Sequence, residues 1–209
     1  MDLVQYNENT AAAFGAAANA LSGDTKPICK FDKGDWYLGQ DKEEIANGTR
    51  FAANLLDAQW GWILWHDKKV DDRRMVTVAS GKAISPRSEL GHDDQGLWEK
   101  DKTTNKPIDP WAKTIEVPAR EINGELREVT LSGSSKGWEG CCKALFKAFG
   151  DGMKINAGKV PIVELGTSKY QHREYGIVKV PTLTIVEWRD PTSLAAIPAE
   201  AEPKKQSKF

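Results

Sequence analysis

The sequence predicts a mainly β domain, an OB-like Greek-key barrel with one amphipathic helix at about 135–149 between strands and extra strands on its N-terminal side. Three observations lead there. Short runs of alternating or continuous apolar residues recur between turn signals, as strands do. One run alone keeps a helical period, with Trp138, Cys141, Cys142, Leu145 and Phe149 on one stripe. The order is strands, a hairpin, one helix and two strands, which is the order of an OB-fold. An α+β antiparallel sheet is the alternative arrangement.

Composition sets the bounds. The chain has 209 residues, 40% hydrophobic and 28% charged, enough to bury a core and too apolar for a wholly disordered chain. Residues 1–30 are rich in Ala, Asn and Gly and predict a flexible N-terminal arm, with Thr10 able to cap a short helix. Residues 31–190 make the packed OB-like domain, and 191–209 a disordered C-terminal tail with three prolines. Lys and Arg number 29 against 30 Asp and Glu, so an anion site must be a local patch. Three cysteines, Cys29, Cys141 and Cys142, are too few and odd in number for a disulfide framework and fit a reducing compartment. Neither a signal peptide nor a membrane span is expected.

The elements follow in order. The turn at 47–49 is followed by "RFAANLLD" and "QWGWILWH" as strands. Alternation in the second puts Trp60, Trp62 and Leu64 on one face and Gly61, Ile63 and Trp65 on the other, so the three tryptophans cannot all be exposed, and two are expected in the core. "RRMVTVAS" is a further strand, and 81–110 is a long turn-rich excursion of the kind that often carries function. "KTIEVPAR" and "ELREVTLS" form a hairpin around Asn123 and Gly124. The helix has Ser134 or Ser135 as its cap and Gly150 as its stop. Two long strands end the domain, with Pro181 marking a bulge or a sheet edge.

Three constellations could grip a nucleic acid. In "QWGWILWHDKKVDDRR", Trp62 and Trp65 stand beside Lys68, Lys69, Arg73 and Arg74, rings for stacking next to cations for the backbone. Asp67, Asp71 and Asp72 offset part of that charge. In "GSSKG", Ser134, Ser135 and Lys136 lie at a helix N-terminus, which favours phosphate; the other reading is a plain helix cap, and the spacing is not that of a P-loop. In "SKYQHREYGIVK", Lys169, Tyr170, His172, Arg173, Tyr175 and Lys179 occupy the loop between the last two strands, where an OB-fold flanks its strand-binding groove; a solvated hairpin tip is the alternative. Between 134 and 180 eight Lys and Arg face four Asp and Glu.

No catalytic motif occurs. Glu89, His92, Asp93 and Asp94 resemble metal ligands, but adjacent residues rarely share one ion, so no metal and no cofactor is expected. The paired cysteines on the helix stripe read as small core residues.

Taken together, "SELGHDDQGLWEKD", "DPW", "GSSKGWEGCCKALFKAFG" and "VPIVELGTSKYQHREYGIVKVPTLTIVEW" resemble an uncharacterised family of phage and prophage proteins, over roughly residues 34–189. The resemblance implies a phage or prophage origin, a role in the cytoplasm of a bacterial host, and an association with phage replication and recombination. It transfers no catalytic residues. The expected function is that of a non-enzymatic single-stranded DNA-binding protein, with phage replication or recombination proteins as further partners and a homo-oligomer open. A virion or scaffold protein that binds other proteins is the alternative, and a small enzyme using the acidic 89–94 loop is a third reading.

Overall fold

The computed structural model describes residues 26–174 and 176–195. The expectations for most of the arm, for most of the tail and for Tyr175 lie outside the described residues. The fold is mainly β, with one long helix set between strands. The strands are β1 (Ile28–Asp32), β2 (Asp35–Leu38), β3 (Glu43–Ile45), β4 (Arg50–Ala53), β5 (Gln59–His66), β6 (Lys69–Thr77), β7 (Trp111–Glu121), β8 (Glu128–Gly133), β9 (Val160–His172) and β10 (Gly176–Arg189). Helix α1 (Lys136–Gly152) lies between β8 and β9, and the short α2 (Pro191–Ala195) follows β10.

Three strands precede the first one read from the sequence. In β1 and β2, Cys29 alternates with Lys30, and Trp36 and Leu38 with Tyr37, around a two-residue turn at Lys33 and Gly34. Both turn residues have positive φ, 51° and 105°, the backbone a tight hairpin needs. Strand β1 thus begins at Ile28, inside the stretch expected to be an arm. At the other end α2 places Leu194 against Ala52, Ile122 and Ile162, so the start of the expected tail is packed.

All ten strands belong to one sheet, in the order β10-β9-β4-β7-β8-β1-β2-β3, with β5 and β6 branching from β7. The branch has a simple cause. β4 and β5 lie end to end along one edge of β7, with Ala53 opposite Ala119 and Gln59 opposite Glu116. β9 then pairs with β4, β6 pairs with β5, and β8 takes the other edge of β7. Pro181 sits in β10, an end strand whose ladder partner is β9, where a missing N–H costs least; the bulge is further on, between Ile185 and Glu187.

The sheet curls until β2 meets β9. The Trp36 indole N–H donates to the Gly166 carbonyl at 3.1 Å, Thr167 donates to the Asn47 side chain at 3.1 Å, and the Lys179 ammonium lies 4.0 Å from Asp35. Side chains bridge this seam, and the curl is compatible with the expected OB-like barrel.

Helix α1 packs its apolar stripe into that curl. Trp138, Cys141, Cys142 and Leu145 are buried in one cluster with Trp36, Phe51 and Val117. The Trp138 N–H donates to the Ile115 carbonyl at 3.0 Å, and its ring meets Trp36 edge-on at 6.1 Å. Gly133 makes room for this: a Cβ there would lie 2.7 Å from Trp138 Cγ. Phe149 stacks on Trp188 of β10 at 5.7 Å. The excursion after β6 covers a second cluster of Leu64, Leu90 and Trp111, with Trp62 against it. Arg87 holds it in shape through Asp109, at 2.7 and 2.9 Å, the carbonyls of Gly91 and His92, and Asp93.

Trp36→Phe keeps a ring and removes the N–H that bridges the seam. It should lower stability by ~1–3 kcal/mol, because the Gly166 carbonyl loses a donor. Urea denaturation measures this, and an unchanged midpoint would show the bridge to be incidental. Burial pushes the thiols of Cys29 and Cys141 up to about 12, and that of Cys142 upward as well. A thiolate-selective reagent at pH 8 should therefore modify none of the three in the folded protein and all three in guanidinium; one fast-reacting thiol in the folded chain contradicts the packing.

Candidate nucleic-acid interface

Strand register puts a consistent set of side chains on one face. Ile63 and Trp65 share a face of β5, and their partners on β6 are Arg73 and Val70. On β7, Thr114 lies opposite Gly61 and Glu116 opposite Gln59; on β8, Ser132 lies opposite Glu116. β1 runs parallel to β8 beyond it. These residues, other than Gly61 and Gln59, line a groove of about 860 Å³. Its floor is hydroxyl-rich: Thr114, Ser132, Ser134 and Ser135. One wall is the β5–β6 hairpin, and the other is β1 with the loop before β3.

Apolar surface and cations meet on the walls. Trp65 is 43% exposed, Ile28 47% and Val70 43%. Lys26, Lys30, Lys42 and Arg73 line the groove with the acids Asp32 and Glu116. Arg73 pairs with Glu116, and Lys26 with Glu128 at 2.7 Å. Lys30 and Lys42 have no ion pair among the described residues.

Of the residues singled out in the sequence, the groove brings together Trp65, Arg73, Ser134 and Ser135. Trp62 and Arg74 are on the opposite face of β5 and β6. The Trp62 indole donates to the Ser85 carbonyl at 2.9 Å, while Arg74 bonds Asp72 at 3.0 Å and lies 5.0 Å over the Trp111 ring. Lys68 occupies the hairpin turn with φ of 62°, after Asp67 at 50°, and Lys69 begins β6 beside it; both are exposed.

At the helix start, the Ser135 hydroxyl accepts the Trp138 N–H at 3.1 Å, so Ser135 is the cap. Lys136, 96% exposed, pairs with Glu139 at 3.1 Å, and Glu139 also takes Lys113 at 2.6 Å. Lys113 and then Lys136 hold the Glu139 carboxyl below its ordinary range. An acid therefore answers the cation that was expected to face phosphate, and Ser134 is left as an exposed hydroxyl on the floor.

The β9–β10 hairpin forms a separate cluster, and none of its candidate residues lines the groove. Lys169 lies directly opposite Lys179, a like-charge pair that is unfavourable unless an anion offsets it. Asp35 does so in part. Tyr170, 49% exposed, meets His172 edge-on at 6.3 Å, and Arg173 is exposed in the turn.

The groove's other wall was not among the sequence candidates. Lys26, Ile28 and Lys30 fell in the stretch read as an arm, and Lys42 in a stretch given no element. Cys29 and Trp36 flanking Lys33 and Gly34 carried the hairpin signal that could have found them.

No family model, curated protein or solved structure matches the chain significantly. Among the described residues, no group of three His, Cys, Asp or Glu is placed to hold a metal ion, and no helix is long and apolar enough to cross a membrane. The acidic loop has structural uses: Asp93 pairs with Arg87, and Asp94 accepts the Gly96 N–H at 2.9 Å.

Glu139→Gln tests the local charge cluster. A carboxylate held below its ordinary range adds stability above the unfolded value near ~4.3 and loses it as pH falls through the folded value. Because the site is partly exposed and screened, the substitution should cost under ~1 kcal/mol at pH 7. The difference from the parent chain should shrink below about pH 4.3. A gap that persists at pH 2 in thermal melts assigns the effect to packing.

Proposed function

We propose that the chain is a non-enzymatic single-stranded DNA-binding protein of phage type, acting in DNA replication or recombination. The groove carries this reading: a half-exposed tryptophan stands between a hydroxyl floor and Lys30 and Lys42, which have no ion pair among the described residues. A base stacks on Trp65, worth ~1–3 kcal/mol per base, while Lys26, Lys30 and Lys42 follow the phosphates. Ser132 and Ser134 offer hydrogen bonds to the sugar–phosphate chain without reading sequence. The hairpin with Lys169, Tyr170, Arg173 and Lys179 extends the basic surface beside the β1–β2 turn, which it meets through Lys179 and Asp35. The strand–helix–strand order and the curled sheet suit an OB-like platform. A phage origin and the cytoplasm of a bacterial host rest on the sequence resemblance alone.

A second reading draws on the apolar walls. Ile28 and Val70 beside Trp65 would also suit a protein partner, as in a virion or scaffold component.

Titration with an oligothymidine strand separates the two. Tryptophan emission should be quenched, and affinity should fall with salt at a slope near −2 to −3, about −0.7 for each of three or four phosphates. Trp65→Ala should weaken binding about tenfold or more, and Lys30→Glu with Lys42→Glu should flatten the salt slope. No quenching and no gel shift at low salt would exclude the single-strand reading and favour the protein-partner one.

A further inference from the structure

Past the seam, β9 and β10 run on as a two-stranded ribbon. β4 pairs with β9 only from Ile162 to Glu164, and the bonds of the seam end at Gly166 and Thr167. From Thr167 opposite Pro181 to His172 opposite Gly176, each strand has only the other as its ladder partner among the described residues. The step from Thr167 to His172 gives the ribbon a reach of about 17 Å. Its faces differ. Alternation puts Lys169, Gln171, Ile177 and Lys179 on one face, and Tyr170 and His172 on the other, where their rings meet edge-on. Lys169 stands directly opposite Lys179. Asp35 lies 4.0 Å from Lys179, while Lys169 and Arg173 in the turn have no ion pair among the described residues. Over residues 167–180 the sequence sets Lys169, Arg173 and Lys179 against Glu174 alone. Opposed ammonium groups on one ribbon face repel until an anion such as phosphate comes between them.

We propose that the far half of the β9–β10 hairpin is a second site, which takes duplex DNA with the ribbon in the major groove. The absence of a ring on its cationic face is what separates it from the groove described above. An unpaired strand is held by stacking, for which Lys169, Gln171, Ile177 and Lys179 offer nothing. A duplex has its bases stacked already and presents phosphates and base edges, and its major groove, roughly 12 Å wide, admits a two-stranded ribbon. The two sites adjoin: Phe31 and Asp32 line the groove, and Asp35, across the β1–β2 turn from them, meets Lys179. On the single-strand reading of the groove, the chain then favours a junction at which a duplex opens into one strand. That preference rests on the single-strand reading; the duplex site does not.

Fluorescence anisotropy of the full chain provides the test, with a blunt duplex, an oligothymidine strand, and the same duplex carrying an oligothymidine overhang as probes. The blunt duplex should bind with a salt slope near −2 to −3, about −0.9 for each of two or three phosphates. Lys169→Gln with Arg173→Gln should weaken it about tenfold and leave oligothymidine binding within about twofold. Glu174→Gln removes the ribbon's acid and should tighten duplex binding about twofold, a gain that no loss of fold can produce. The overhang duplex should bind about tenfold or more tighter than either simple probe. No duplex binding at low salt, or duplex binding that these substitutions leave unchanged, overturns the proposal. Equal losses for duplex and oligothymidine overturn it too, and assign the ribbon to the path of the single strand. Duplex binding that responds as expected, without any oligothymidine binding, supports the ribbon site and removes the single-strand reading. An overhang duplex bound no tighter than the blunt one, with both simple probes bound, overturns the junction preference and supports two independent sites.

Discussion

The meeting of Trp36 and Trp138 inside the curl is the contact on which the architecture turns. Each indole is fully buried, and each spends its one N–H on a backbone carbonyl of a distant strand, Gly166 in β9 and Ile115 in β7. A buried indole N–H without such a partner pays a desolvation cost, so the two carbonyls favour these positions for the rings. Trp36 therefore pins the late end of the sheet to its early end, while Trp138 pins the helix to the middle. Gly133 gives way to Trp138, Gly137 to Val180, and Gly152 to Trp188, so the helix approaches the sheet closely along its length.

The groove is a consequence of that closure. Because β2 is drawn back to β9, β1 and the loop before β3 stand up on one side of β8. The β5–β6 hairpin stands on the other side because β7 is longer than β5 and β4 alone, and the two must share its edge. Among the described residues no helix lies across the floor between them; α1 packs mainly on β10, and only its first turn reaches the groove. Small polar side chains there, with one half-exposed tryptophan, are what such an uncovered face can carry without aggregating.

Much of this was legible in the sequence where period and punctuation agreed. "QWGWILWH" gave both its strand and its faces, with Trp65 opposite Trp62. The helix emerged from its apolar stripe and serine cap, with its end displaced from Gly150 to Gly152. What escaped was set by long-range pairing. β1 to β3 are only three to five residues each and gain their place from β8 and from the seam, so their local signal was weak beside the Ala-rich stretch before them. The serine–lysine turn was open to two readings from its local chemistry, a helix cap or a phosphate contact. Ser135 is the cap, and Glu139, one turn into the helix, with Lys113 from β7, forms a charge cluster that local spacing alone did not weigh.

The division of labour among the cations bears on what kind of nucleic-acid contact the proposed function allows. The guanidinium groups are largely spent within the fold: Arg50 on Glu164, Arg87 on Asp109, Arg127 on Glu43 and Glu121, and Arg189 on Glu187. Arg73 and Arg74 are likewise engaged, with Glu116 and Asp72. Among the described residues, the groove's Lys30 and Lys42 are left without an ion pair, while Lys26 pairs with Glu128. Arginine forks read guanine edges bidentately, whereas lysine acts as a point charge that suits any phosphate. On the proposed reading, Lys30 and Lys42, the hydroxyls and the one half-exposed ring would hold a strand by its backbone and by stacking. On the proposed reading, preference among sequences is then weak, and selection for single over double strands comes from Trp65, whose face is useful only to a base that has already left its stack.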